Sequence, residues 1–178
     1  RMVGETGLMN LFLGYSRRLA LVGGGIFLLG PLPLFALPNV WTNSAGGFWR
    51  VATNWSLASA PNSDSNFDPT LITNAGNKSI TIDSATVLGN LSVRNLTISA
   101  PVGSSNRLEL LNVPLGTPLT VTRPLLIGSR AALSLANSAV VTADTFDING
   151  GALELQSGSV NCAASCDLQS GNITMVNG

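Results

Sequence analysis

Beyond residue 40, apolar and polar positions alternate in short runs. Ile80-Thr81-Ile82, Leu96-Thr97-Ile98, Leu108-Glu109-Leu110, Leu119-Thr120-Val121, Leu133-Ser134-Leu135, Phe146-Asp147-Ile148 and Leu153-Glu154-Leu155 each place apolar side chains two residues apart. Period two over three to five residues predicts short strands with one buried face. Gly, Asn, Ser and Pro fall between the runs, as tight turns require. No segment after residue 40 has a helical period.

The runs also repeat. A shift of twenty pairs Ala132 with Ala152, Leu133 with Leu153, Leu135 with Leu155 and Val140 with Val160. The same shift pairs Ala143 with Ala163, Asp147 with Asp167 and Ile148 with Leu168, and a third copy begins with Gly171, Ile173 and Met175. A fixed period of this length is the signature of a stacked repeat, in which one unit buries its apolar face only against the next. The pattern predicts an all-β fold, a single-stranded parallel β-helix with two or three strands per coil. Leu133, Leu153 and Ile173 then form an internal column. An antiparallel sandwich also yields short strands at close spacing, but it does not explain a residue-level register. Earlier coils read longer, since Leu108 to Leu133 is twenty-five residues, and loops such as 99–106 and 113–118 absorb the excess.

The first forty residues differ. Arg17 and Arg18 precede an apolar run from Leu19 to Ala36. A basic flank, an apolar stretch and small residues predict a secretory signal at 1–36. An uncleaved anchor is the alternative, although Gly23-Gly24-Gly25, Pro31 and Pro33 disfavour a spanning helix. After residue 36, six basic and eight acidic side chains remain, which argues against a polybasic membrane anchor. Strand-like 173–176 is followed by no terminal cap. The sequence therefore reads as a signal at 1–36, a Trp-rich cap at 37–72 and solenoid coils at 73–178, truncated at the C-terminus.

All three tryptophans, Trp41, Trp49 and Trp55, lie in the stretch W-T-N-S-A-G-G-F-W-R-V-A-T-N-W-S-L-A-S-A-P that ends at Pro61. An open solenoid end exposes backbone groups and an apolar stack, and large aromatics cover such a surface. The rival role for the tryptophans is a sugar-binding platform. The W…G-x-W…N-W…P pattern, followed by a ladder of short strands, resembles the start of secreted bacterial β-helix proteins with autotransporter-associated β-strand repeats. The resemblance implies a secreted or outer membrane-associated surface protein.

Candidate chemistry is sparse. Only 10% of residues are charged, the net charge is zero and there is no histidine. A nucleic-acid partner needs a basic stripe that the chain lacks. Without histidine, Ser-His-Asp and Cys-His sites are excluded from this segment. Asp147 and Asp167 are equivalent outward positions and form a carboxylate pair for Ca²⁺ or acid–base chemistry. Two solvated carboxylates are the plainer reading, because a site needs more converging groups. Cys162 and Cys166 are the only cysteines, and in an exported protein they are read as a disulfide. Asn54, Asn77, Asn90, Asn95 and Asn172 begin N-x-S/T sequons, which carry weight only in a eukaryotic secretory route.

The sequence thus predicts no catalytic residue and no cofactor. It predicts a non-enzymatic secreted or cell-surface β-solenoid, a stalk or adhesion module whose partners are surface glycans or a host or neighbouring cell. Membrane contact comes only through the signal segment or a missing C-terminal anchor. The alternative is the N-terminal part of a β-helix polysaccharide lyase or hydrolase, whose catalytic cluster would lie further along the chain.

Overall fold

A computed structural model describes residues 37–62, 68–86, 91–113 and 118–176. The signal proposed at 1–36 lies outside them. In chain order the strands are β1 (Asn39–Val40), β2 (Gly47–Phe48), β3 (Thr70–Ile72), β4 (Asn77–Ile82), β5 (Leu91–Val93) and β6 (Leu96–Ile98). They continue with β7 (Ser105–Leu110), β8 (Leu119–Val121), β9 (Leu125–Ile127), β10 (Ala131–Ala136), β11 (Val140–Gln156) and β12 (Ser159–Met175). A single 3-10 turn, Ala52–Asn54, follows β2. Among the described residues no helix is long and apolar enough to cross a membrane.

Every strand pairing is parallel, and the strands build three ladders. The first runs β1, β3, β6, β9 and then the middle of β11 and of β12. The second runs β2, β4, β7, β10 and the ends of β11 and β12. The third runs β5, β8 and the starts of β11 and β12. One coil therefore visits three faces, and the last two coils do so within single bent strands. This is a parallel β-solenoid.

Alternation decides which side chains enter the core. The three-residue strands share one pattern of buried, half-buried, buried positions. Ile72, Ile98, Ile127 and Ile148 stack in register on the first face, none more than 1% exposed. Ile80, Leu108, Leu133, Leu153 and Ile173 form the equivalent column on the second. Like side chains at one coil spacing, about 4.8 Å, interdigitate without change of rotamer, so each column is continuous apolar packing.

The register of the last two coils departs from a uniform shift of twenty. Leu133, Leu153 and Ile173 align as expected, and so do Asp147 with Asp167 and Ile148 with Leu168. Val160, however, faces Val141 rather than Val140, and Ala143 faces Cys162 rather than Ala163. Cys162 therefore does not take the place of Thr142. The cause is the corner between the third and first faces, where 143 to 145 on β11 is matched by 162 to 165 on β12. An extra residue there restores the register ahead of Cys166, which faces Phe146.

The two ends of the stack differ. At the N-terminal end Trp41, Trp49 and Trp55 are 0%, 0% and 2% exposed. Trp55 packs edge-on against both neighbours, with centroids 5.1 Å from Trp41 and 4.7 Å from Trp49. Each indole N–H is satisfied by a backbone carbonyl: Trp41 by Asn43, Trp49 by Pro61 and Trp55 by Trp49. At the other end β12 pairs only with β11. Its inward residues Leu168, Ile173 and Met175 are 49%, 50% and 75% exposed.

Candidate functional site

The carboxylates singled out in the sequence stand on the first face. Asp147 and Asp167 are ladder partners on adjacent coils, half-buried and exposed respectively. No third ligand joins them: among the described residues there is no group of three or more His, Cys, Asp or Glu placed to hold a metal. Two carboxylates at one coil spacing, with water on their open side, make neither a cation cage nor a shielded acid–base pair.

Cys162 and Cys166 are joined in a disulfide, with Cα atoms 5.8 Å apart. The bond spans the corner that carries the extra residue. It ties the third face to the first in the outermost coil. Its partners one coil below, Ala143 and Phe146, are buried, so the bridge occupies inward slots.

The tryptophans are not arranged as a platform. A sugar-stacking aromatic must present a face to solvent, and all three indoles are buried with their N–H groups already engaged. The exposed aromatic in this region is Phe48, 44% exposed, with the Arg50 guanidinium 4.3 Å above its ring. Arg50 also pairs with Asp83 at 2.5 Å. Asp83 accepts hydrogen bonds from the Thr86 amide at 2.8 Å and the Thr86 hydroxyl at 2.7 Å. Burial pushes the Asp83 carboxyl up, but the two Thr86 hydrogen bonds and Arg50 together hold it below the usual carboxylate range.

Two polar clusters were not anticipated from the sequence. The first lies on the outer side of the second face. Arg107 Nη1 donates to Glu154 Oε1 at 2.8 Å, and Arg107 Nη2 reaches Glu154 Oε2 and donates to Ser134 Oγ at 3.0 Å. Arg107 Nε lies 2.6 Å from Glu109 Oε1. Glu154 is two coils away from Arg107, and the residue between them in the ladder is Ala132. A methyl group there leaves room for the guanidinium to lie along the wall. The hydrogen bond to Glu154 raises the Arg107 pKa most, against the opposing effect of burial. A guanidinium holding two carboxylates braces three coils and leaves no group poised for catalysis. The signal was legible in principle: Glu109 and Glu154 sit in the outward slots of Leu-Glu-Leu triplets.

The second cluster is internal. Lys78 is 5% exposed, and its Nζ donates to the Asn74 carbonyl at 2.7 Å and the Ala75 carbonyl at 3.0 Å. Asn106, its ladder partner, is 1% exposed. Its Nδ2 donates to the carbonyls of Ser99 at 2.5 Å, Asn74 at 3.1 Å and Ile72 at 3.3 Å. Two side-chain donors thus satisfy the carbonyls of a corner that has no ladder partners for them. Burial lowers the Lys78 pKa.

The remaining outward column is neutral. Ser92, Thr120, Thr142 and Asn161 face out in register along the third face, one per coil. Comparison with known proteins finds no matching family model, no similar curated protein and no similar solved structure.

Proposed function

We propose that this chain is a rigid, non-enzymatic β-solenoid working at the cell exterior, as a stalk or as an adhesion module. Its walls would make weak, repeated contacts with glycans or with a neighbouring cell surface. The observation that carries this reading is the in-register polar column Ser92, Thr120, Thr142 and Asn161. It repeats one hydrogen-bonding side chain per coil on a backbone that cannot flex between coils. Individually feeble contacts at fixed spacing add through effective concentration. The disulfide supports an oxidising location. The bracing of Arg107 by Glu109 and Glu154 supports a wall used for stiffness rather than for chemistry. The W…G-x-W…N-W…P opening supports kinship with the autotransporter-associated repeat proteins it resembles.

The test is an adherence assay on the producing cells. Antibody against the protein should label intact cells, and a strain lacking the gene should adhere several-fold less while growing normally. A Thr120→Val, Thr142→Val double variant should keep its melting temperature and lose adherence. Labelling only after lysis, or adherence indifferent to the gene, would overturn the reading.

A further inference from the structure

We propose that a further coil of this polypeptide, C-terminal to Val176, stacks on β12 in parallel and in register. Three observations carry it. The outer edge of β12 is unpaired over Ser159–Met175, the length of a whole coil. An unpaired edge that stays unpaired is defended by Lys, Pro or inward charges. Between Ser159 and Met175 the only charged residue is Asp167, and there is no proline.

The interior is open as well. Phe146, Ile148 and Leu153 are 4%, 1% and 4% exposed, while their partners one coil up include Leu168 and Ile173, about half exposed. An apolar hollow of about 220 Å³ lies between these two layers, lined by Phe146, Leu153, Val160, Leu168 and Ile173 among others. Its continuity with the coil–coil packing below specifies the occupant. The hollow takes short strands that bend at the same corners and carry aliphatic side chains in the same slots. A second copy stacked head to tail does not fit, because its N-terminal end is sealed by the three tryptophans.

The sequence adds the third observation. The corner after the second face needs a residue of positive φ two positions beyond the last inward side chain. Asn112 after Leu110, Asn137 after Leu135 and Ser157 after Leu155 supply it, with φ of 52°, 53° and 109°. Gly158 follows Ser157 where a Cβ would lie 2.5 Å from Leu135 Cβ and 2.7 Å from the Ala139 carbonyl oxygen. Two positions beyond Met175 the sequence reads Asn177-Gly178. The residue types that turn one coil into the next recur in the same place.

The inference stands apart from the functional proposal, since an enzyme on this scaffold would need the same coil. Hydrogen exchange on the protein as its cell makes it should find the edge amides of β12 as slow as those of β11. In a chain ending at Gly178 they should exchange on the order of a hundredfold faster. Ile173→Asp in the native protein should lower Tm as much as Leu153→Asp does. The coding sequence should place apolar residues twenty positions after Leu168 and after Ile173. A stop codon, polar residues in those slots, or an unchanged Tm for Ile173→Asp would overturn the proposal. So would β12 protection that appears only in a dimer or only with another protein bound.

Discussion

Lys78 is the one lysine of the chain, and it is inside. Burial lowers its pKa, so between the folded value and 10.5 the unfolded chain binds more protons than the folded one. Stability should therefore rise as pH climbs through the alkaline range toward 10.5. Urea midpoints measured from pH 8 upward should show the rise, and Lys78→Met should flatten it. Asp83 behaves in the opposite range. Its carboxyl is held below 3.8, so its contribution is present above that value and is lost as pH falls through the folded value. Neither side chain was assigned a role from sequence, because period two marks a slot as inward and does not reveal a corner whose carbonyls need a donor. Glycine shows the same limit. A Cβ on Gly151 would stand 2.5 Å from Ile127 Cγ2 and 2.6 Å from the Gly128 carbonyl oxygen. Gly151→Ala should cost about 1–3 kcal/mol by overpacking, measured as a lowered urea midpoint.

At the scale of the strand, the position of a side chain along its column governs the cost of changing it. Leu153 lies between Leu133 and Ile173 and is 4% exposed. Leu153→Asp should destabilise by about 3–5 kcal/mol, as an uncompensated buried charge does. Ile173→Asp in a chain ending at Gly178 should cost well under that, because Ile173 is half exposed. Equal losses in thermal scans of that chain would contradict the column. The disulfide belongs to this scale too. Cys162 and Cys166 should resist alkylation until a reductant is added, and immediate labelling by mass would refute the bond. The columns through Leu108, Leu133 and Leu153 were legible because the apolar triplets recur with their polar centres intact. The slip at Val141–Val160 was not. It arises from one additional residue at a corner, where Ala163 and Ala164 carry no periodic signal to betray it.

At the scale of the molecule, contacts run only between neighbouring coils, so stability is close to a sum of coil and interface contributions. The stack should lose structure from its exposed end first. All three tryptophans report on the opposite end. In rising denaturant, strand circular dichroism should begin to fall before indole emission shifts to the red, whereas superimposed transitions would show a single cooperative block. The fold class could be read from the twenty-residue repeat. The burial of the indoles could be argued but not separated from a ligand platform until their N–H partners were seen. The tryptophan seal also sets an order in time. A polypeptide emerges N-terminus first, so its hydrophobic plug forms before any rung exists. Each later rung then finds a finished template beneath it, and the rod can lengthen behind a closed tip without waiting for the rest of the chain to arrive.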